Sequence, residues 1–290
     1  MKLLRYGTAG QEKPAILDAQ GNMRDVSAYL ADFNPQTLAD VHVLAQLKSL
    51  DSNSLPLVAA GERIGSCVGV PGKVICIGYN SRLHITQMGG TPLPETDMVV
   101  FMKPSSAVCG PFDPILHTRH TKKLDWEAEL AIVIGKKGKY ISQEDAADYI
   151  LGYTCMNDLS ERFWQFETAD KQFTKGKCFD NAAPLGPYIV TRDEVADASD
   201  LHIKLWINGE LRQDFNTSDY IHNDIEVVSY VSQYFTLYPG DIISMGSAPG
   251  NAKSWGEDKF LKPGDRVSFT IIGFGQQEQV VVKEEDLLVQ

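Results

Sequence analysis

Three acids, two lysines and a histidine mark where this chain could do chemistry. Glu127 and Glu129 stand one residue apart in LDWEAELAIVIG, residues 124 to 135, a largely apolar run. In an extended strand residues two apart share a face, so both carboxylates point the same way, together with Ala131 and Val133. Trp126, Ala128, Leu130, Ile132 and Ile134 take the other face. Neighbouring like charges beside a packed surface repel and lose hydration, so they stay ionised only with a cation or a proton between them. Asp158 ends a second strand-like run, YTCMND, and offers a third carboxylate. An all-oxygen set without His or Cys suits Mg²⁺, Mn²⁺ or Ca²⁺ better than Zn²⁺ or Cu²⁺. A plainer reading also fits: the two glutamates face solvent and Asp158 caps a helix beginning at Leu159. The E-x-E spacing is common and leaves both open.

The surroundings add other groups. FTKGKCFDNAAPLGP sets Lys175 and Lys177 around a glycine, in what reads as a loop too turn-rich for a helix. His84 follows a strand-like run in ICIGYNSRLHITQMGGTPLP, and the glycines and prolines after it predict a mobile lid. A glycine-rich loop, SMGSAPGNAKSWG, carries Ser247. Lys103, in FMKPSSAVCGP, belongs to a segment expected to shape the pocket rim.

Strands must hold most of these groups. MVVFMKP, WEAELAIVIG, LGYTCMND, LGPYIV, LHIKLWING, DIISMG and RVSFTIIGFG all read as strands. Helices are fewer: SQEDAADYI with Ser142 as its cap, DIEVVSYVSQYF, and DVHVLAQLKSL near the start. KPAILDAQGNMRDV reads as a hairpin turning at Gln20-Gly21-Asn22. Two Pro-Gly-Asp triplets, in LYPGDIISMG and LKPGDRVSFT, are turn chemistry before strands. The Pro- and Gly-bearing link SCVGVPGK separates a small N-terminal α/β unit, 1–69, from a larger domain, 70–290. The expected class is α+β, rich in strands.

Composition narrows the partners. With 38 acidic against 27 basic residues the formal net charge is -11, which disfavours nucleic acid and anionic membranes. No run of apolar residues is long enough to cross a bilayer, and the first residues lack the apolar core of a signal peptide. The five cysteines are scattered without a C-x-x-C pair, so reduced thiols in a cytoplasm are expected.

Taken in order, GYNSRLH, VVFMKPSSAVCGPFDPI, DWEAELAIVIG, NDLSERFWQ, KGKCFD with APLGP, INGELRQDFNTSDYI and LYPGDIISMGSAPG resemble the fumarylacetoacetate hydrolase family, from about residue 70 to 282. The resemblance implies a rolled mixed β-structure, a homodimer, and a small-molecule keto acid as substrate. It implies Mg²⁺ or Mn²⁺ on Glu127, Glu129 and Asp158, with Lys177 stabilising enolate charge beside the metal and Arg162 and Gln165 contacting the substrate. Ser247 stands where the family usually has threonine, and the resemblance implies that its hydroxyl and backbone N–H meet the substrate carboxylate. His84 falls on the family's base, but the usual His-x-x-Glu dyad reads His84-Ile-Thr-Gln87, and Leu83 replaces a usual aspartate. A glutamine amide can orient an imidazole or a water but cannot take a proton. The implied reaction is carbon–carbon bond hydrolysis in a 2,4-diketo acid, of the acylpyruvate or 2,4-diketo-3-deoxy sugar acid type, releasing pyruvate. The alternative is an enolising decarboxylase or isomerase.

Overall fold

The computed structural model describes residues 1–87, 89–94, 96–170, 172–256 and 259–288. Its β-rich architecture is built on two sheets. The larger one runs Met23–Asp25, Lys13–Leu17, Lys2–Tyr6, Ile189–Thr191, Ile150–Asn157, Ala128–Ile134, Ile242–Ser244, Val74–Gly78, Val99–Lys103. All neighbours are antiparallel except Ile242–Ser244 on Val74–Gly78. The second sheet runs Glu210–Asn216, His202–Ile207, Arg266–Ile271, Gln276–Lys283, Ile115–His117, with a parallel last pair. The Ala128–Ile134 strand is buried along its whole length, as expected of a central strand packed on both faces.

The N-terminal hairpin forms with its turn at Gly21, where Asp18 accepts the Gln20 and Asn22 amides. Its partner strand Lys2–Tyr6 pairs with Ile189–Thr191, so the larger sheet continues across residue 70. One apolar cluster likewise reaches from Leu3 to Val281. Gly240 and Gly264 in the Pro-Gly-Asp triplets take φ of 79° and 96°, as the second central position of a type II turn requires.

Three local expectations change. SQEDAADYI makes only a single 3₁₀ turn, Ala146–Tyr149, with the Ser142 hydroxyl on Asp145. Ile150 already belongs to the sheet, leaving too few residues for a helix to propagate. No helix begins at Leu159: Ser160–Glu161 pairs as a short strand with Leu124–Asp125, and Asp158 caps nothing. Thr174–Lys177, expected as loop, closes one helical turn. Its Gly176 lies so close to the Glu161 carbonyl that a Cβ would sit 2.7 Å from that oxygen. All five cysteines are free thiols, and Cys76 and Cys155 fill the core. Among the described residues no helix is long and apolar enough to cross a membrane.

Candidate metal centre

Sheet register brings the acids together. Ala128 pairs with Asn157 and Glu129 with Met156, so Glu127 and Asp158 follow as neighbours just beyond the last pair, joined by the Asp158 amide to the Glu127 carbonyl at 2.9 Å. One oxygen from each of Glu127, Glu129 and Asp158 lies within 4.8 Å of the others, and all three residues are buried. The solvent-facing reading of the glutamate pair is thereby excluded.

The two glutamates are held in opposite electrostatic states. Glu127 is gripped by Arg162 Nη2 at 2.7 Å and Lys177 Nζ at 2.7 Å. Burial alone would raise its pKa, but Arg162 and then Lys177 outweigh it, and the carboxyl titrates well below the usual range. Among the described residues no cation pairs with Glu129. It accepts from the Ser244 hydroxyl at 2.5 Å and the Gly246 amide at 2.9 Å. Burial, then the repulsion of Asp158 and Glu127, pushes its pKa well above normal. Gly246 can present that amide because its φ is 94° and a Cβ would meet the Ile77 carbonyl at 2.8 Å.

Lys177 also reaches Asp158 Oδ2 at 2.6 Å, and these two acids keep the lysine protonated despite its burial. Lys103 is not a rim residue. Its fully buried ammonium donates to the carbonyls of Leu159, Lys177 and Ala182 at 3.0, 2.6 and 2.9 Å. Those three bonds use its three protons, so Asp158 Oδ1, 2.7 Å away, gains a charge contact but no hydrogen bond.

The other predicted residues divide. His84 sits on a short helix, Arg82–Gln87, its Nδ1 buried without a partner, and burial lowers its pKa below the ordinary 6.5. Gln165 and Ser247 line the same cavity as His84 and the acids. Arg162 lines it too, but its guanidinium is already spent on Asp125 at 2.8 Å, Glu127, and the Gln165 side-chain oxygen at 3.0 Å. Its arrangement positions Glu127. Gln87 is exposed, and its oxygen accepts the Gly250 amide at 3.3 Å, tying the helix to the glycine-rich loop. Among the described residues no carboxylate hydrogen-bonds His84.

Two positioning groups have no advance signal beyond lying in the family-like motifs. Asp125, fully buried, accepts from Arg162 and from the Ala252 amide at 2.6 Å, so it aims the arginine and anchors the Ala252–Trp255 turn. Gln213 bridges the Ala128 amide at 3.0 Å to the Ser247 hydroxyl at 2.9 Å.

The cavity enclosed by these groups holds only about 70 Å³. Grooves of about 770 and 790 Å³ lie elsewhere, and neither contains the acid cluster. Chemistry, and not size, selects the site. Three hard donors, an uncompensated buried carboxyl at Glu129 and an unbonded Asp158 Oδ1 all suit a divalent cation such as Mg²⁺ or Mn²⁺. Because Glu129 holds its proton to unusually high pH, loading either ion near neutrality should release a proton, and affinity should rise with pH. Calorimetry in two buffers of different ionisation enthalpy reads this directly; identical heats would show that no proton leaves.

Residues 73–282 match the family described as fumarylacetoacetate hydrolase, C-terminal. Over 280 residues the chain is 45% identical to a relative from Burkholderia cenocepacia (strain HI2424) bearing only a general hydrolase name, covering 96% of this chain and 98% of that one. A maleylpyruvate hydrolase from Sphingobium sp. SYK-6, solved with manganese(II) and pyruvate, superposes with TM-score 0.81 at 26% identity, covering 98% of this chain and 99% of that one. A 2-hydroxyhepta-2,4-diene-1,7-dioate isomerase from Mycobacterium marinum gives TM-score 0.74 at 30% identity, with coverage of 98% and 99%.

Proposed function

The chain belongs to the fumarylacetoacetate hydrolase family, and from that premise we propose that it is a Mg²⁺- or Mn²⁺-dependent hydrolase cleaving the C3–C4 bond of a 2,4-diketo acid of the acylpyruvate type. The observation that carries this reading is one cavity lined by three clustered carboxylates, a charged lysine and an unpartnered imidazole. Glu127, Glu129 and Asp158 would hold the ion, which when bound supplies Lewis-acid charge for a keto acid head. The neutral His84 Nδ1 accepts a proton as a water oxygen bonds to C4. The C3–C4 bond breaks, its electron pair stays with the pyruvate half as an enolate, and the proton returns to C3. Lys177, itself buried, offsets the enolate charge.

A second reading, an enolising isomerase or decarboxylase, draws on Gln87. Among the described residues no carboxylate hydrogen-bonds His84, and isomerisation or decarboxylation needs no activated water. Incubation with Mg²⁺ and acylpyruvates, oxaloacetate and an unsaturated keto diacid separates the two. Pyruvate plus a second carboxylic acid is expected from the first. Turnover of oxaloacetate or diene alone would overturn hydrolysis in favour of the second.

A cavity of about 70 Å³ is far below the roughly 300–1,000 Å³ of ordinary ligand pockets, so a substrate must displace a wall. The Arg82–Gln87 helix is that wall. Its first turn is pinned, with Arg82 on the Tyr220 carbonyl at 2.6 Å and Ser81 on Asp219, while the side chain of its last residue accepts the Gly250 amide at 3.3 Å. A helix that opens to admit a ligand and then closes over it should exchange its amides more slowly, across residues 82–92, once Mg²⁺ and oxalate are bound than in the free protein. Equal exchange with and without them would exclude a closing lid.

A further inference from the structure

The cavity has a second positive end. Lys253, on the Ala252–Trp255 turn, lines it, and its ammonium lies 4.6 Å from the centroid of the Phe166 ring. The other cations around this site are matched. Arg162 is paired with Asp125 and Glu127, Lys177 with Glu127 and Asp158, and Lys123 with Glu167 at 2.7 Å. Among the described residues no carboxylate pairs with Lys253.

Three phenylalanines connect the two ends. The Lys177 ammonium is 5.0 Å from the Phe101 centroid, Phe101 packs edge-on against Phe173 at 5.5 Å, and Phe173 against Phe166 at 5.6 Å. All three rings line the cavity. The wall is thus a string of aromatic faces with an ammonium at each end. One ammonium belongs to the carboxylate cluster, where the keto acid head would sit. The other is carried on a turn whose backbone is anchored nearby, the Lys253 amide approaching Asp125 Oδ2 at 3.4 Å.

Lys253 is exposed as a residue, yet partial burial and then the nearby Arg162 disfavour its charge at a modest cost. An arriving anion removes that cost. The aromatic stretch between the ends accepts carbon chain and offers no hydrogen-bond donor.

Resting on the acylpyruvate reading, we propose that Lys253 is the specificity-determining residue for the far end of the substrate, and that the preferred substrate is a diacid. The diketo acid head occupies the carboxylate-cluster end, a short chain lies along Phe101, Phe173 and Phe166, and a terminal carboxylate pairs with Lys253.

Two acylpyruvates isolate the terminal charge: 2,4-dioxoheptanedioate, and 2,4-dioxoheptanoate, which has a methyl group in place of the second carboxylate. The native protein with Mg²⁺ should prefer the diacid in kcat/KM. Lys253→Met, of similar length and without charge, should lower that preference by at least about tenfold, or about 1.4 kcal/mol. Most of the change should appear in KM, since the contact is the same in ground and transition states. Lys253→Arg should retain the preference. An equal loss on both substrates, or an unchanged ratio, would overturn the assignment. Equilibrium binding of non-cleaved 2-oxoadipate and 2-oxohexanoate to the same variants supplies a readout independent of turnover. If native protein cleaves neither diketo acid, the hydrolase reading fails. A tenfold binding preference for 2-oxoadipate that vanishes in Lys253→Met would then still support the diacid site, and its absence would overturn it.

Discussion

Replacing Glu129 with glutamine should abolish divalent-ion binding and turnover while leaving the fold as stable as before or more so. Replacing Glu127 in the same way should abolish both and also destabilise the protein. The two residues are one position apart and chemically identical, so the contrast comes from their partners. Glutamine at 129 still accepts from Ser244 and Gly246, and it removes a carboxyl that Asp158 and Glu127 repel. Glutamine at 127 strips a counter-ion from both Arg162 and Lys177, leaving two buried cations short of charge. Breaking a buried pair by removing one partner costs about 3–5 kcal/mol, whereas relieving buried repulsion costs nothing. Loss of ion affinity should exceed the roughly 10–100-fold typical of an outer-shell change. Calorimetric titration with Mn²⁺ and urea unfolding without metal check the two halves separately. Full Mn²⁺ affinity in Glu129→Gln, or equal unfolding midpoints for the two variants, would overturn the assignment.

That contrast could not be read from the chain alone, although the pair itself could. Period-two alternation placed both glutamates on one face because a strand enforces it, and the buried Ala128–Ile134 strand obeys. Asp158 was legible because it ends an apolar strand-like run, YTCMND. What local pattern does not encode is which charge each acid meets. Arg162, expected at a substrate, is turned inward by Asp125, 37 residues earlier, and that pairing exists only after the short Leu124–Asp125 and Ser160–Glu161 strands have met. Lys103 was expected at the pocket rim from its segment FMKPSSAVCGP, yet it closes the Val99–Lys103 strand and three carbonyls from separate segments converge on it. The aromatic wall draws Phe101 from a strand, Phe166 from a π-helical turn and Phe173 from the residue before a helical turn, and no spacing rule links them. Long-range charge pairing and wall-building are decided by tertiary packing; face and period are decided locally.

His84→Ala should lower kcat on the best substrate by roughly a hundredfold or more, the scale on which general acid–base help is lost. Oxalate should still bind the metal-loaded variant with nearly native affinity, because the groups proposed to hold it lie on other segments. The pH profile adds a sign. A protonated imidazole cannot accept a proton, so activity should fall as pH drops through the His84 pKa. Burial holds that pKa below the ordinary 6.5, and the acid limb of kcat/KM should therefore lie below 6.5 and vanish in His84→Ala. Gln87→Glu tests the neighbour. Position 87 is three residues along the same helix, close enough for a carboxylate to favour the imidazolium and move the acid limb to higher pH. Its other oxygen can keep the bond that the Gly250 amide now makes. If Gln87 merely tunes hydrolysis, the rate should be kept or raised; if it marks an isomerase, hydrolysis should appear where there was little. An acid limb and product profile unmoved by both substitutions would place the base on another residue. The three carboxylates and Lys177 would then need a different proton acceptor, and the unpartnered His84 Nδ1 and Asp158 Oδ1 would no longer share one explanation.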